Sequence, residues 1–280
     1  MDLFNTLIII GLLYFSLALT SGDWRDYPTC KIGRLQSPIE IKEYESIYAN
    51  NFSFVYQSYK PCKCDLIKNY AYTIDCSKQT GGYINFERGG VIKQYEFIRA
   101  EIYPSLHGID GDKNKYDYEL HLIHKKNLDF KTNKNQYRSI QDPNMFLVIV
   151  LRYSKCSNGE KCTYDNGLLV EVMKNTNNKV DIDLRSYNIF QDKRAYFYEG
   201  SFVHIPCDEN VNYYIVKDFF YFKDLPEGIE FDNKITSIDF ANLFGRPVYK
   251  NFMNYREVLG NNYFSFKKIV ISFLFIIILL

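Results

Sequence analysis

The sequence has almost no net charge. Its 280 residues include 34 Lys and Arg against 33 Asp and Glu, which leaves a formal charge of +1. Such an even balance gives no reason to expect binding to nucleic acid or to an anionic membrane surface. The chain also lacks an internal repeat, a low-complexity block and a Pro- or Gly-rich linker, so nothing divides its central part into separate domains.

Helical periodicity is scarce as well, and this favours a mainly β fold. The 25 Tyr and 22 Phe suit a large sheet with aromatic faces. The best helix candidates are Gly167–Asn175 and Ile235–Phe244. The run from Met145 to Tyr153 is apolar almost throughout and predicts a central strand covered on both faces. Other runs rich in Tyr, Phe, Ile and Val also predict strands: Ala71–Asp75, Gly82–Phe86 and Val211–Val216.

Residues 1–22 have the pattern of a cleavable signal peptide. An apolar run from Leu3 to Thr20 ends in the small residues Ser21 and Gly22. The usual basic residue before the run is missing, so a retained membrane anchor is the alternative. Cleavage here would start the mature chain at Asp23 and place it in the secretory pathway.

Residues 261–280 predict a GPI-attachment signal. Small residues, a short polar spacer and a terminal apolar tail fit this pattern, with Gly260 or Asn261 as the attachment residue. The tail from Ile269 to Leu280 is shorter than the roughly 20 apolar residues that span a bilayer. A short hydrophobic tail anchor is the alternative. Both ends therefore predict one domain over residues 23–260, held at the cell surface through a lipid anchor or a short hydrophobic tail.

All seven cysteines lie in the predicted mature chain, where most are expected to pair. Cys156 and Cys162 flank a turn-rich insert and are expected to pair with each other. The remaining group with close spacing is odd in number, so it predicts one bridge and one free thiol, or a bridge to another molecule: Cys62, Cys64 and Cys76. Asn51 begins a sequon for N-glycosylation, which a secreted chain can use.

Five motifs occur in a characteristic order. They are Gln36–Ile41 (QSPIEI), Tyr116–His124 (YDYELHLIH), Tyr198–Phe202 (YEGSF), Cys207–Val211 (CDENV) and Leu243–Tyr249 (LFGRPVY). Together they resemble the alpha-class carbonic anhydrase family over essentially the whole mature chain. The resemblance implies a central, mostly antiparallel ten-stranded sheet with a conical cleft and a few short peripheral helices. It also implies a disulfide between Cys30 and Cys207.

The chain departs from this family where catalysis would take place. The family holds zinc with a His-x-His pair on one strand and a third His on the next. Here the His-x-His positions hold Glu101 and Tyr103, and only His121 matches. Glu119 matches the glutamate that orients the third imidazole. We expect Glu119 and His121 to form a buried hydrogen-bonded pair.

Two further positions of the catalytic machinery have also changed. Val203 stands where the family has a threonine that accepts a hydrogen bond from zinc-bound hydroxide, and Gly108 falls at the partner glutamate. The proton-shuttling histidine aligns with Tyr70, whose usual pKa of about 10 suits proton transfer at neutral pH poorly.

The resemblance thus implies an inactive homologue without zinc, used as a binding module for an extracellular protein or a glycan. The alternative is a metalloenzyme with a site rebuilt from Glu101, His121 and His204. A third hypothesis is a structural coat protein. His107 and His124 are expected at exposed loop or strand-end positions. The lysines between Lys113 and Lys134 alternate with acidic residues and predict a solvated face, with an anionic-polysaccharide patch as the alternative.

Overall fold

The computed structural model describes residue 30, residues 33–68, 71–79, 81–130, 144–156, residue 169, and residues 179–186, 193–204, 207–222 and 240–253. Several predictions fall outside these residues: the signal peptide, the GPI signal with Gly260 and Asn261, Tyr70, Cys162, and the helix at Gly167–Asn175 apart from Leu169. Within the described ranges, no helix is long and apolar enough to cross a membrane.

Fourteen strands make up the described fold. They are β1 Glu40–Ile41, β2 Ile47–Tyr48, β3 Phe52–Tyr59, β4 Cys62–Lys68, β5 Tyr72–Asp75, β6 Gly82–Arg88, β7 Val91–Pro104, β8 Gly108–Ile109, β9 Tyr118–Lys126, β10 Phe146–Lys155, β11 Lys179–Ile182, β12 Ala195–Gly200, β13 Val211–Phe222 and β14 Tyr249–Lys250. Short 3-10 helices occupy Asp112–Lys115 and Leu184–Ser186. The predicted mainly β fold is confirmed.

One 12-stranded sheet dominates, in the order β11-β4-β5-β7-β9-β10-β13-β12-β14-β2, and β6 joins β3 to β7. Its pairs are antiparallel except β10 with β13 and β14 with β2. The two-residue strands β14 and β2 at one edge account for the excess over the expected ten. A separate parallel pair joins β1 to β8.

The core lies on both faces of this sheet. Side chains of β10 alternate between two clusters: Leu147, Ile149 and Leu151 pack on one face, Val148 and Val150 on the other. Alternation of this kind follows from the period of two along a strand. The prediction of a central strand covered on both sides is confirmed.

Two sequence expectations are wrong in this part of the fold. Residues 240–243, in the described part of the predicted helix Ile235–Phe244, form an irregular segment that leads into a turn at Phe244 and Gly245, where the φ angles are 48° and 78°. His124 is buried, because β9 continues to Lys126 and its alternation directs the imidazole into the core.

The disulfides agree with the sequence expectations where they can be seen. Cys30 is joined to Cys207, and Cys64 to Cys76, which leaves Cys62 as a buried thiol. Cys156 is disulfide-bonded. Because disulfides persist in oxidising compartments, these bridges indicate a protein of the secretory pathway.

Removing the Cys30–Cys207 bridge is expected to lower the free energy of unfolding by about 5 kcal/mol in the chain-entropy account, because it closes a loop with a sequence separation of 177. The test compares urea unfolding of the Cys30→Ser/Cys207→Ser variant with that of Cys62→Ala, which keeps both described bridges. An unchanged midpoint, with both cysteines alkylated in the denatured, unreduced wild type, would show that the bridge does not form.

His124 is expected to make the domain sensitive to mild acid. Burial lowers the pKa of this imidazole to about 3; Nδ1 lies 3.0 Å from the Leu122 carbonyl oxygen and Nε2 lies 2.9 Å from the Tyr59 hydroxyl. The His124 imidazole therefore binds a proton near pH 6.5 in the unfolded chain, but it stays neutral at that pH in the folded chain. The contribution of the neutral ring to the free energy of unfolding has its full value above that pH. It falls by about 2 kcal/mol between pH 7 and pH 5.

Unfolding free energies at pH 7 and pH 5 measure this effect. His124→Gln, which does not titrate, should lose about 2 kcal/mol less than the wild type over this interval, and Tyr59→Phe, which keeps the imidazole, should lose as much as the wild type. An equal loss in His124→Gln would assign the acid sensitivity to another group.

Candidate functional site

The candidate site is built on two neighbouring antiparallel strands. Arg99, Glu101 and Tyr103 alternate along β7 and so share one face. The register places Glu101 opposite His121 and Tyr103 opposite Glu119 on β9. This arrangement brings the residues at the former zinc-ligand positions together at one point of the sheet.

Glu101 is held by three side chains. Its Oε2 accepts a hydrogen bond of 2.7 Å from the Tyr103 hydroxyl, while Oε1 lies 2.8 Å from Arg99 Nε and 3.5 Å from His204 Nε2. Burial by itself would raise the pKa of this carboxyl, but His204, Arg99 and Tyr103 outweigh it and lower the pKa to about 2. Glu101 is therefore an ionised carboxylate with its charge already balanced.

Arg99 also contacts His204 and the ring of Phe202 at this cluster. Its Nη2 lies 3.2 Å from His204 Nε2, and its guanidinium lies 5.2 Å from the centre of the Phe202 ring. The imidazole of His204 stacks on the same ring, with the two planes 19° apart. The permanent positive charge of Arg99 thus stands beside Glu101, where a metal-binding carboxylate would face its cation.

Tyr103 fills space next to His121. Its side chain is buried against a small apolar cluster with Ala71, Leu106 and Val203. The Tyr103 ring centre lies 4.8 Å from that of His121. The ring of Tyr103 and the side chain of Val203, which has no hydroxyl, therefore lie in an apolar cluster next to His121.

Glu119 is the centre of a second, fully buried network. Its Oε1 accepts hydrogen bonds from the backbone N–H groups of Leu106 and His107, at 3.3 and 2.7 Å, and from the Tyr116 hydroxyl. Its Oε2 lies 2.9 Å from His107 Nδ1 and 2.7 Å from His121 Nε2. The expected Glu119–His121 contact is present in the structure.

The protonation of this network follows from its geometry. Burial by itself would raise the pKa of Glu119, but the contacts with both imidazoles lower it well below the usual value. The pKa of His107 is lowered, chiefly by burial. A neutral His107 donates from Nδ1 to Glu119 and accepts at Nε2 from Tyr198, whose hydroxyl lies 2.8 Å away.

The network continues from Tyr198 to the QSP motif. The Tyr198 hydroxyl lies 2.9 Å from Ser37 Oγ, and Ser37 exchanges backbone-to-hydroxyl bonds with Ser201 at 3.1 and 3.2 Å. Gly200 makes this approach possible, because a Cβ at that position would lie 2.2 Å from Ser37 Oγ. Three of the five sequence motifs are therefore joined through one chain of hydrogen bonds that runs from Glu119 through His107 and Tyr198 to Ser37.

His107 was expected to be exposed, and that expectation is wrong: it is fully buried. It lies in a turn between β7 and β8, where strand periodicity carries no information about burial. His107 is connected to Glu119 only because the buried carboxylate needs hydrogen-bond donors. This relation can be seen only after the loop has packed against β9.

Gly108 leaves no room for the side chain that the family has there. A Cβ at this position would meet Phe240 Cζ at 2.9 Å and Glu40 Cγ at 3.4 Å. A side chain at position 108 would therefore collide with Phe240 unless that ring shifted.

Two groups of three side chains in the described ranges bring ligand atoms within 4.8 Å of one another. In the group Cys62, Cys64 and Cys76, two sulfurs are already joined in a disulfide. In the other, His107 and His121 each point a nitrogen at the same oxygen of Glu119.

Zinc in this family is held by three imidazoles, and the residues present do not fit it. Glu101 is paired with Arg99, the Tyr103 hydroxyl donates to Glu101, and His121 remains as a single imidazole. The rebuilt set of Glu101, His121 and His204 is not among the groups within 4.8 Å in the part of the chain that the structure describes.

Comparisons with known proteins agree with this architecture. A family model of eukaryotic-type carbonic anhydrase matches residues 20–225. The chain is 26% identical over 200 residues to alpha carbonic anhydrase 5 of Arabidopsis thaliana, an alignment that covers 69% of this chain and 64% of that protein. It is 24% identical over 198 residues to dioscorin DB3L of Dioscorea polystachya, with the same coverage of 69% and 64%. The match thus spans less than two thirds of the length of either relative.

A solved structure, dioscorin complexed with ascorbate, is similar in fold. Its TM-score is 0.60 at 18% identity, and the match covers 84% of this chain and 95% of that one. At this identity the similarity supports the fold alone.

Replacing Glu119 by Gln is expected to lower the free energy of unfolding by about 3 kcal/mol. The amide keeps the size of the side chain but brings an N–H group into a place where five donors already converge. Urea unfolding followed by circular dichroism measures the change, with Glu45→Gln at an exposed position as the matched control. A loss no larger than that of the control would mean that the network contributes little to stability.

Proposed function

The chain belongs to the eukaryotic-type carbonic anhydrase family, and from this premise we propose that it is a catalytically inactive member that serves as a recognition module at the cell surface. The observation that carries the proposal is the pairing of Arg99 with Glu101 beside Tyr103 at the former ligand positions. A catalytic zinc needs three protein ligands and an open position for the water that it activates. Here a guanidinium already balances the carboxylate.

The absence of the catalytic relay supports the same proposal. Val203 cannot accept a hydrogen bond from a metal-bound hydroxide, and Gly108 cannot carry a carboxylate to continue it. In contrast, the Glu119 network that supports the fold beneath the site is complete. Loss of the reacting groups together with retention of the scaffold is what a binding role requires.

The proposed address is the cell surface. Residues 1–22 as a signal peptide, residues 261–280 as a GPI-attachment signal and a glycan on Asn51 together place the domain outside the cell. The partner would be an extracellular protein or a glycan. The dioscorin structure was determined with ascorbate, so a protein with this fold and low sequence identity binds a small organic molecule.

The second candidate is a metalloenzyme that uses Glu101, His121 and His204. One observation favours it: His204 Nε2 lies 3.5 Å from Glu101 Oε1, close enough for both to meet one ion. The position of Arg99 between them opposes it, because the guanidinium contacts both groups.

Elemental analysis of the full chain, purified without chelators or a His tag, separates the two candidates. The inactive module is expected to hold less than about a tenth of an equivalent of zinc and to show no hydration of carbon dioxide. The variant Glu101→His/Tyr103→His, which restores three imidazoles with His121, is the positive control for the scaffold. It should gain zinc, and the further change His121→Ala should remove it.

Near one equivalent of zinc in the wild type, lost in His121→Ala, would contradict the proposal and favour the metalloenzyme. A metal-free wild type together with a zinc-binding triple-imidazole variant would support a site dismantled at the ligand positions alone.

A further inference from the structure

The register between β10 and β13 is interrupted next to a second candidate binding site. Val150 of β10 pairs with Ile215 of β13, but Arg152 pairs with Phe219, so β13 carries extra residues between these two points. Such bulges interrupt the ladder and redirect side chains, and they are frequent at functional sites. The carbonyl groups of Val216 and Lys217 in the bulge turn towards Arg152.

Arg152 has a buried guanidinium with more N–H donors than hydrogen bonds to the described residues. Only 1% of the residue is exposed. It donates from Nε to the Val216 carbonyl at 3.4 Å, from Nη2 to the Lys217 carbonyl and from Nη1 to Asp112 Oδ2 at 2.8 Å. A guanidinium has five N–H donors. Within the described residues two of them have no acceptor.

Arg152 is one of the residues that line a pocket of about 420 Å³, a size typical of small-ligand sites. The pocket lies away from the former zinc position, and Tyr116 separates it from the Glu119 network: the hydroxyl of Tyr116 bonds Glu119, and its ring packs against Arg152. Its lining combines charged groups with aromatic rings: Asp112, Arg152, Lys217, Asp218, Phe219 and Tyr221.

The charges around the pocket cancel in pairs. Arg152 is paired with Asp112, Lys217 with Glu43, and Asp218 with Arg194. An anion would meet two carboxylates, and a cation would meet two basic side chains. An uncharged ligand with many hydroxyl groups avoids repulsion from the carboxylates and from the basic side chains. The paired carboxylates can still accept hydrogen bonds from it, and the guanidinium and ammonium groups can still donate them.

We propose that this pocket, here called the bulge pocket, binds a neutral saccharide unit. Hydroxyl groups would take the spare Arg152 donors and lone pairs of Asp218, and Tyr221 would offer an aromatic face to the sugar ring. The inference rests on the proposed recognition function and narrows its ligand to an uncharged glycan.

Binding of the full chain to immobilised neutral oligosaccharides that end in galactose, mannose or N-acetylglucosamine tests the proposal, with heparin as the anionic probe. Tyr221→Ala and Asp218→Ala should each weaken binding to a neutral oligosaccharide at least about tenfold, which is 1.4 kcal/mol. The matched controls are Tyr44→Ala, at an exposed tyrosine, and Asp183→Ala, which breaks another exposed Arg–Asp pair. Both controls should bind like the wild type.

Each other outcome overturns the inference. Binding to heparin alone would reject the neutral ligand, binding that survives both pocket variants would reject the bulge pocket, and no binding to any probe would reject a saccharide. Zinc content measured on the same preparations keeps the two proposals apart. Zinc together with pocket-dependent binding refutes only the inactive site, and a metal-free protein without such binding refutes only the bulge pocket.

Discussion

The rest of this site depends on one constraint, which is that the buried, ionised carboxylate of Glu119 must be surrounded by hydrogen-bond donors. An unpaired charge inside a protein costs several kcal/mol, so the fold must supply donors from several directions. The backbone of the loop after β7, two imidazoles and a tyrosine hydroxyl meet this need. Through His107 and Tyr198 the same network reaches Ser37, and thus connects the centre of the sheet to the N-terminal QSP motif.

A second group of polar side chains lies on β7, next to the Glu119 network. Arg99, Glu101 and Tyr103 contact one another on one face of β7, and His204 lies beside Arg99 and Glu101. The guanidinium of Arg99 supplies a positive charge 2.8 Å from the Glu101 carboxylate. Glu101 therefore has charged and polar partners at this point of the sheet, which offset the cost of burying its carboxylate.

Much of the architecture could be predicted from the sequence. The apolar run at Met145 becomes the central strand β10, the spacing of the cysteines anticipated one bridge and one thiol among Cys62, Cys64 and Cys76, and the motif order anticipated the Cys30–Cys207 bridge. The burial of His107 and His124 could not be predicted. One lies in a turn without periodicity, and the other on a strand longer than its pattern suggested.

What the sequence determined by itself was local chemistry: which positions alternate, where strands form, and that Glu101 and Tyr103 stand where the resemblance predicts two imidazoles. The tertiary structure decided which side chains contact Glu101 and where Arg152 lies. Those outcomes depend on strand register, because Glu101 meets His121, and Arg152 meets a bulge in β13, only through pairing between residues far apart in the chain. Periodicity identifies the face of a strand on which a residue lies, whereas register determines its neighbour across the sheet.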